Sequence, residues 1–228
     1  MMRSQNFYTY AFIKNPDFPL NLPQGNISQV MLINGTNISA VVEPEISLES
    51  YQNNDDQVIK MVLNHDRVVC ELFRQTTILP LRFGTNFTSH ETLLNHLEAH
   101  AQEYLEKLED IQDKNEYTLK LIPQVFAEPA KVSVGSGRDY FLAKKQHYET
   151  QKSFSIAQNE EKDSLINLIT EIYQSSVIFQ QQAEELRIYL LVSRYDKALL
   201  LEQVLSWQQY CPHWNLILGE SLPPYHFI

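Results

Sequence analysis

The runs SVIFQ (176–180) and LRIYLLV (186–192), joined around AEE (183–185), decide the fold of the second half of this chain. Two β-branched and aromatic runs flanking a short polar connection predict a β-hairpin. Before it, Tyr117 to Ile122 alternates as a strand and stops at Pro123. No Gly or Pro then stands between Arg138 and Pro212. Within that stretch Arg138 to about Gln174 predicts one long helix or two joined ones. Its ends are apolar (Tyr140, Phe141; Leu165, Leu168, Ile169, Ile172), and its polar middle, Gln151 to Asp163, is expected to project into solvent. After the hairpin, Leu199, Leu200, Gln203, Val204 and Trp207 fall at helical spacing between Asp196 and Tyr210, and Trp214 to Leu218 is a closing strand ended by Gly219. The order β-α-β-β-α-β is the split βαβ arrangement called ferredoxin-like, an antiparallel sheet with helices on one face.

The first half reads as a separate α+β unit. Phe7 to Ile13 is an aromatic, β-branched strand ended by Asn15-Pro16. Gln29 to Ile33 and Ile38 to Val42 form a hairpin, for which Asn34-Gly35 suggests a type I′ turn. From Asp55, apolar residues recur every three or four positions through Val58, Met61 and Val62, His65, Val68 and Val69, and Leu72, the stripe of an amphipathic helix. Thr77 to Leu81 is a short strand interrupted by Pro80, which suits an edge or a strand end. A second helix is predicted from Ser89 to Ile111, with Ser89 suited to its cap. The expectation is an α+β chain with a domain boundary near Asp113: an N-terminal α+β domain, 1–113, and a C-terminal ferredoxin-like domain with a long helix and a tail, 114–228.

Composition narrows the function. Of 228 residues, 43% are hydrophobic and 20% charged, enough for each half to bury a core. The net charge is −10, divided −7 over residues 1–114 and −3 over residues 115–228. Two acidic halves weigh against a nucleic-acid partner and against docking on an anionic membrane. The start has no apolar signal region, and no apolar run reaches the roughly 18–20 residues a membrane span needs. Cys70 and Cys211 are expected to be reduced, buried thiols of a cytoplasmic protein.

Candidate chemistry is sparse. His96 and His100 stand at i and i+4, a spacing that suits zinc, but Leu97 occupies the position a zincin gives to glutamate and no third ligand is evident. The expectation is two surface histidines and no metal. His65, on an apolar helix face with no serine or cysteine nucleophile paired to it, reads as a core or interface residue rather than a base. Gly135-Ser136-Gly137-Arg138 precedes a helix but lacks the third glycine of a phosphate cradle, so a hinge-like loop and no cofactor are expected. Arg82-Phe83-Gly84 reads first as a strand end and turn, and second as part of a docking surface. The tail Pro223-Pro224-Tyr225-His226-Phe227 is no helix, and its aromatic residues are expected to pack back onto the protein.

Five ordered stretches resemble one family. Ile78-Leu79-Pro80-Leu81-Arg82-Phe83-Gly84-Thr85 is similar to the VLPLRFGT signature of the gas vesicle protein F/L family. His65-Asp66-Arg67-Val68-Val69 resembles its histidine-bearing helix, and Tyr117-Thr118-Leu119-Lys120 its EW-x-x-K strand, with Tyr in place of Trp. Ser136-Gly137-Arg138-Asp139-Tyr140-Phe141 resembles SGRAYL, and Leu222-Pro223-Pro224-Tyr225-His226-Phe227 resembles WPPYSF, with Leu where Trp is common. The resemblance implies a two-domain α/β fold with a ferredoxin-like C-terminal domain and no assigned catalytic residues. It also implies a gas vesicle location in the cytoplasm and a role as a minor vesicle component or assembly factor. Such a factor binds the small hydrophobic shell protein and other gas vesicle proteins, supports nucleation or prevents aggregation, and uses no nucleic acid, membrane or cofactor. The motif positions it marks as structural or interface residues are His65, Leu79, Pro80, Arg82, Phe83, Gly84, Gly137, Arg138, Pro224, Tyr225 and Phe227. The competing reading, a ligand-binding or enzymatic ferredoxin-like protein with an interdomain site, rests on fold alone. RNA binding ranks last, because the strand 186–192 offers a single Tyr in aliphatic company.

Overall fold

Aromatic residues that sequence alternation alone leaves ambiguous are sorted onto two faces by one irregularity in β1 (Phe7–Lys14). The computed structural model describes residues 6–44, 46, 55–127, 137–174, 177–182 and 185–228. Among them are five helices and two antiparallel sheets, a mixed α/β fold. β1 pairs with β3 (Ile38–Pro44), and their register shifts between Thr9 and Ala11. Such a shift inserts one residue and reverses the sides taken by alternate side chains. Tyr8 before it, Tyr10 within it, and Ala11 and Ile13 after it therefore join one core with Met61, Val68, Val69 and Leu72 of α1 (Asp55–Phe73). Phe7 and Phe12 face the other way. Phe7 meets His90 of α2 (His90–Ala99), and Phe12 meets Tyr104 of α3 (Ala101–Asp110).

This sheet runs β2-β3-β1-β4, with β2 at Met31–Asn34 and β4 at Leu79–Pro80; β5 (Asn86–Phe87) also pairs with β1. Pro80 lies on the outermost strand, where its missing N–H costs the ladder nothing. The β2–β3 reversal differs from the Asn-Gly type I′ turn expected. Asn34 pairs with Ser39, the Gly35 N–H bonds to Ile38 O, and neither Asn34 nor Gly35 takes a positive φ. Gly35 is needed instead for space, since a Cβ there would stand 2.8 Å from Ile38 O. The single helix predicted over 89–111 is two. His100, at φ −113 and ψ 10, leaves the helical region between α2 and α3. The apolar period continues across it through Leu93, Leu97 and Leu108, so a one-residue break leaves no trace in the pattern. Ser89 does cap α2, in a capping box closed by Thr92.

The second sheet runs β7-β8-β6-β9, with β6 at Lys114–Pro123, β7 at Val177–Gln182, β8 at Glu185–Ser193 and β9 at Trp214–Leu218. β7 and β8 pair from Val177↔Leu190 to Gln182↔Glu185; Ser176, Ala183 and Glu184 lie outside the described residues. Leu119 and Leu121 of β6 and Leu186, Ile188 and Leu190 of β8 meet Leu165 and Ile169 of α4 (Gly137–Tyr173) and Leu200, Val204 and Trp207 of α5 (Lys197–Tyr210) in one core.

Most of the polar middle of α4, 151–163, is exposed as expected, yet its apolar start is exposed too, at Tyr140, Phe141 and Leu142, and the middle is tied down at Gln158 and Glu161. Gln158 donates to His213 O at 2.9 Å and accepts from Trp214 Nε1 at 2.8 Å, and Glu161 lies 2.5 Å from His213 Nδ1. Hydrogen bonding, invisible to an apolar count, holds that turn down.

The chain divides into two compact units, Met1–Glu116 with Leu222–Ile228, and Tyr117–Ser221. The tail thus packs with the first unit rather than with the C-terminal segment to which sequence order assigns it. Glu116 and Leu222 exchange backbone hydrogen bonds at 3.0 and 2.8 Å. Cys70 and Cys211 are free thiols, the latter buried and pushed up to about 11 by desolvation and the nearby Glu161.

Candidate functional site

The first unit brings together three of the sequence motifs around His65. This side chain leaves the apolar face of α1 and is 5% exposed. Its Nε2 is 3.0 Å from Leu81 O, which can only accept, so Nε2 carries the proton and Nδ1 accepts from the Tyr8 hydroxyl at 2.7 Å. Tyr10 stacks on the ring at 5.2 Å and Phe83 meets it edge-on at 5.9 Å. Burial, above all, lowers the His65 pKa and raises that of Tyr8, so both stay neutral at pH 7. A neutral histidine with both nitrogens engaged is a strut. It ties α1 to the backbone of the Leu79–Thr85 segment.

That segment makes its turn through Gly84, whose φ of 94 is the left-handed region that glycine tolerates. The Thr85 N–H and hydroxyl both donate to Arg82 O, at 3.1 and 2.8 Å, closing the turn. Leu79 and Pro80 form β4 against Phe12 and Ala11. The Arg82 side chain is exposed and makes no ion pair among the described residues.

The tail joins from the opposite end of the sequence. Pro223 and Pro224 are buried, and Tyr225 and Phe227 are half-buried. Tyr225 donates its hydroxyl to Asp66 Oδ1 at 2.7 Å. The fully buried Glu116 accepts from the His226 N–H at 2.9 Å and lies 2.7 Å from His226 Nδ1. His65-Asp66, the Leu79–Thr85 segment and the tail are therefore one assembly. Gly137 and Arg138 are not part of it; they begin α4 in the second unit, where Arg138 is exposed, and Ser136 lies outside the described residues.

Between β4, α3 and the tail lies a cleft of about 450 Å³, lined by Phe12, Leu79, Arg82, Tyr104, Lys107 and Tyr225 among others. Lys107 pairs with Glu103 at 2.9 Å, an exposed i,i+4 contact of the kind that contributes little. His96 and His100 flank this face, and they are not the idle surface pair expected. Both are half-buried: His96 Nε2 is 2.7 Å from the Tyr104 hydroxyl, and the His100 ring stacks on Tyr104 at 5.7 Å. Burial and its neighbour His100 lower the His96 pKa. No group of three His, Cys, Asp or Glu suited to a metal occurs among the described residues.

Sequence reasoning passed over the buried carboxylates. Glu43 accepts from the Tyr10 hydroxyl at 2.6 Å and from the backbone N–H groups of Asn26, Ile27 and Ser28 at 2.7, 2.6 and 2.5 Å. Gly25 makes room for it: a Cβ there would lie 2.2 Å from Glu43 Oε2. One signal was present, since Glu43 continues the wholly apolar run Ala40-Val41-Val42 in a central strand.

The second unit offers a different surface. α5, KALLLEQVLSWQQY, carries apolar residues around its whole circumference. Leu200, Val204 and Trp207 face the core, while Leu199, Leu201 and Leu205 are 53%, 45% and 69% exposed. Leu168 and Ile172 are also exposed on α4, and a cleft of about 220 Å³ is lined by Leu165, Leu168, Trp207 and Tyr210.

Comparison with known proteins agrees with this architecture. The profile of the family described as gas vesicle synthesis protein GvpL/GvpF matches residues 6–228. A search of curated protein sequences finds no match. Among solved structures, the gas vesicle protein GvpF from Anabaena sp. PCC7120 is similar with a TM-score of 0.69 and 17% identity, covering 98% of this chain and 96% of that one. GvpF from Microcystis aeruginosa is similar with a TM-score of 0.68 and 14% identity, covering 97% and 98%. At such identities the structural likeness speaks to the fold, while the sequence profile, spanning nearly the whole chain, speaks to descent. The chain belongs to the GvpL/GvpF family of gas vesicle synthesis proteins, and its role is associated with gas vesicles.

Proposed function

We propose that this protein is a minor, non-enzymatic component of gas vesicle assembly, working on vesicles in the cytoplasm, that binds the small hydrophobic shell protein through apolar surface. It thereby supports nucleation or keeps the shell protein from aggregating. The observation that carries the reading is α5. A helix apolar on all sides belongs in a buried setting, yet only one of its faces meets the core of its own unit. Leu199, Leu201 and Leu205 offer the kind of contact that competes with self-association of a hydrophobic partner. The acidic character of the chain, −10 overall, keeps such a complex soluble.

The same reading treats the chain as two domains, the second ferredoxin-like, a description that the strand order β7-β8-β6-β9 supports. It gives the family-motif residues structural and interface roles. His65, Leu79, Pro80, Phe83, Gly84, Pro224, Tyr225 and Phe227 shape the first domain, Arg82 belongs to a surface separate from the one that takes the shell protein, and Gly137 and Arg138 start the long helix.

Pull-down of the purified shell protein tests this. Capture is expected at about 0.05 M and about 1 M sodium chloride alike, because the Debye length falls to roughly 3 Å in the latter while apolar contact persists. The pair L201Q and L205Q, both at exposed positions, is expected to leave thermal stability within about 0.5 kcal/mol of the parent and to reduce capture at least tenfold. Capture lost at high salt would replace the apolar interface with a charged one. No capture at either salt would remove the shell-binding role.

A further inference from the structure

The charged side chains that line the cleft of the first unit are opposite in sign to the protein around it. The chain carries 28 acidic and 18 basic residues, and the half containing the cleft carries −7 of the net charge. Yet two cations, Arg82 and Lys107, line the cleft, and no Asp or Glu is found among the described residues lining it. In a chain with such an excess of carboxylates, an arginine without an ion pair among the described residues is a group left over by folding. A guanidinium offers five donors in a planar fork that matches a carboxylate. Among the described residues Lys107 pairs with its exposed neighbour Glu103, a pairing that an incoming carboxylate exchanges at little cost.

The remaining walls define the rest of the occupant. Phe12, Leu79, Pro80 and Ile228 are apolar. The Tyr104 and Tyr225 hydroxyls are already engaged, by His96 and Asp66 at 2.7 Å each, so they shape the cleft rather than await a ligand. Pro80 has no N–H to offer at the edge strand, which disfavours recognition by strand addition and leaves it to side chains. The volume, about 450 Å³, falls in the range of ligand pockets and holds a few side chains. We infer that this cleft is a docking site for an acidic segment of a protein partner, one that sets a carboxylate against Arg82 and Lys107 and an adjacent large apolar side chain against Phe12, Leu79 and Pro80. This site is separate from the α5 face and does not depend on the shell-binding reading. The two surfaces are opposite in physical character, so the protein has the makings of an adaptor with one salt-sensitive and one salt-insensitive contact.

Isothermal titration of the full chain with acetyl-Gly-Glu-Leu-Phe-Glu-Gly-amide tests the inference, with the Gln-for-Glu peptide as control. Saturable binding of the acidic peptide is expected, and little or none of the control. Arg82→Gln is expected to weaken binding about tenfold, equivalent to about 1.4 kcal/mol, and Lys107→Gln by a smaller factor. Both side chains are well exposed, so both variants should fold, and Arg138→Gln in the second unit should leave binding unchanged. Raising salt from about 0.05 M to about 0.5 M should weaken the acidic peptide, in contrast to shell-protein capture. Equal binding of the two peptides, unchanged binding by Arg82→Gln, or no saturable binding up to several millimolar would overturn the proposal. Self-association of the parent chain that Arg82→Gln abolishes would also overturn it, by making a second copy the occupant. Shell-protein capture measured on the same Arg82→Gln sample separates the two proposals, since that variant should leave capture intact.

Discussion

The two units place their polar groups differently, and each presents its surface accordingly. In the first, Tyr8, Tyr10, Glu43, His65 and Glu116 are buried and bonded to one another, to backbone or to the tail. In the second, the core is almost wholly apolar, and its polar ties, such as Glu161 with His213 and Gln158 with Trp214, stand at the margin. Buried hydrogen bonds are directional and costly to break, so they fix positions, whereas apolar packing is tolerant of exchange. The first unit accordingly holds a shaped cleft with named donors in it. The second leaves a broad apolar helix face that suits a partner recognised by hydrophobicity more than by outline.

The strongest way to break this contrast is Glu43→Ala. It would leave the Tyr10 hydroxyl and three backbone N–H groups buried without their acceptor. A loss of about 3–5 kcal/mol is expected, on the scale of removing one partner from a buried charged network. Urea titration read by amide exchange should place the loss in the first unit, at Asn26 to Ser28 and β1, with β8 little changed. A loss under about 1 kcal/mol would mean that the network is decorative.

Removing residues 222–228 should act next most strongly. It uncovers the site of Pro223 and Pro224, frees Asp66, and leaves the carboxylate of Glu116 buried without His226. A loss of about 2–4 kcal/mol, several degrees in melting temperature, is expected and should also be confined to the first unit. An unchanged melting temperature would point to a tail reserved for a partner.

The smallest effect concerns pH. His65 is held neutral by burial, so its folded pKa lies below the ordinary 6.5. The unfolded chain then binds more protons below about pH 6.5, and stability is complete above that value and lost as pH falls through it towards the folded pKa. The slope from this one group cannot exceed about 1.4 kcal/mol per pH unit. His65→Gln, which can still accept from Tyr8 and donate to Leu81 O, should remove its share of the slope between pH 6.5 and 5. His96, lowered in the same direction, retains its own share. Identical slopes for parent and variant would show that His65 is not buried neutral.

Much of this was legible beforehand wherever local periodicity and backbone chemistry agree. The 3.6-residue stripe of α1, the alternation of β6, the cap at Ser89 and the edge placement of Pro80 all follow from interactions within a few residues. The family motifs were likewise legible, and most of those read on α1, on Leu79–Thr85 and in the tail meet around His65. The cleft was not, because Arg82, Lys107 and Tyr225 come from three distant segments and nothing local marks their meeting.

By itself the sequence determined the kind and order of most elements, though not the break between α2 and α3 or the short β5, because hydrophobic period and capping act over neighbouring residues. Only the tertiary structure decided the rest. It assigned Tyr8 and Tyr10 to the His65 face through the shift in β1, made Glu43 and Glu116 core residues, and anchored the polar middle of α4. It also grouped the tail with the first unit rather than with its neighbours in sequence. Each of these depends on a hydrogen bond between residues far apart in the chain, buried for Tyr8 and Glu43 and partly buried or exposed for α4 and the tail, and such a bond is specified by where its partner stands, not by the residue's own hydropathy.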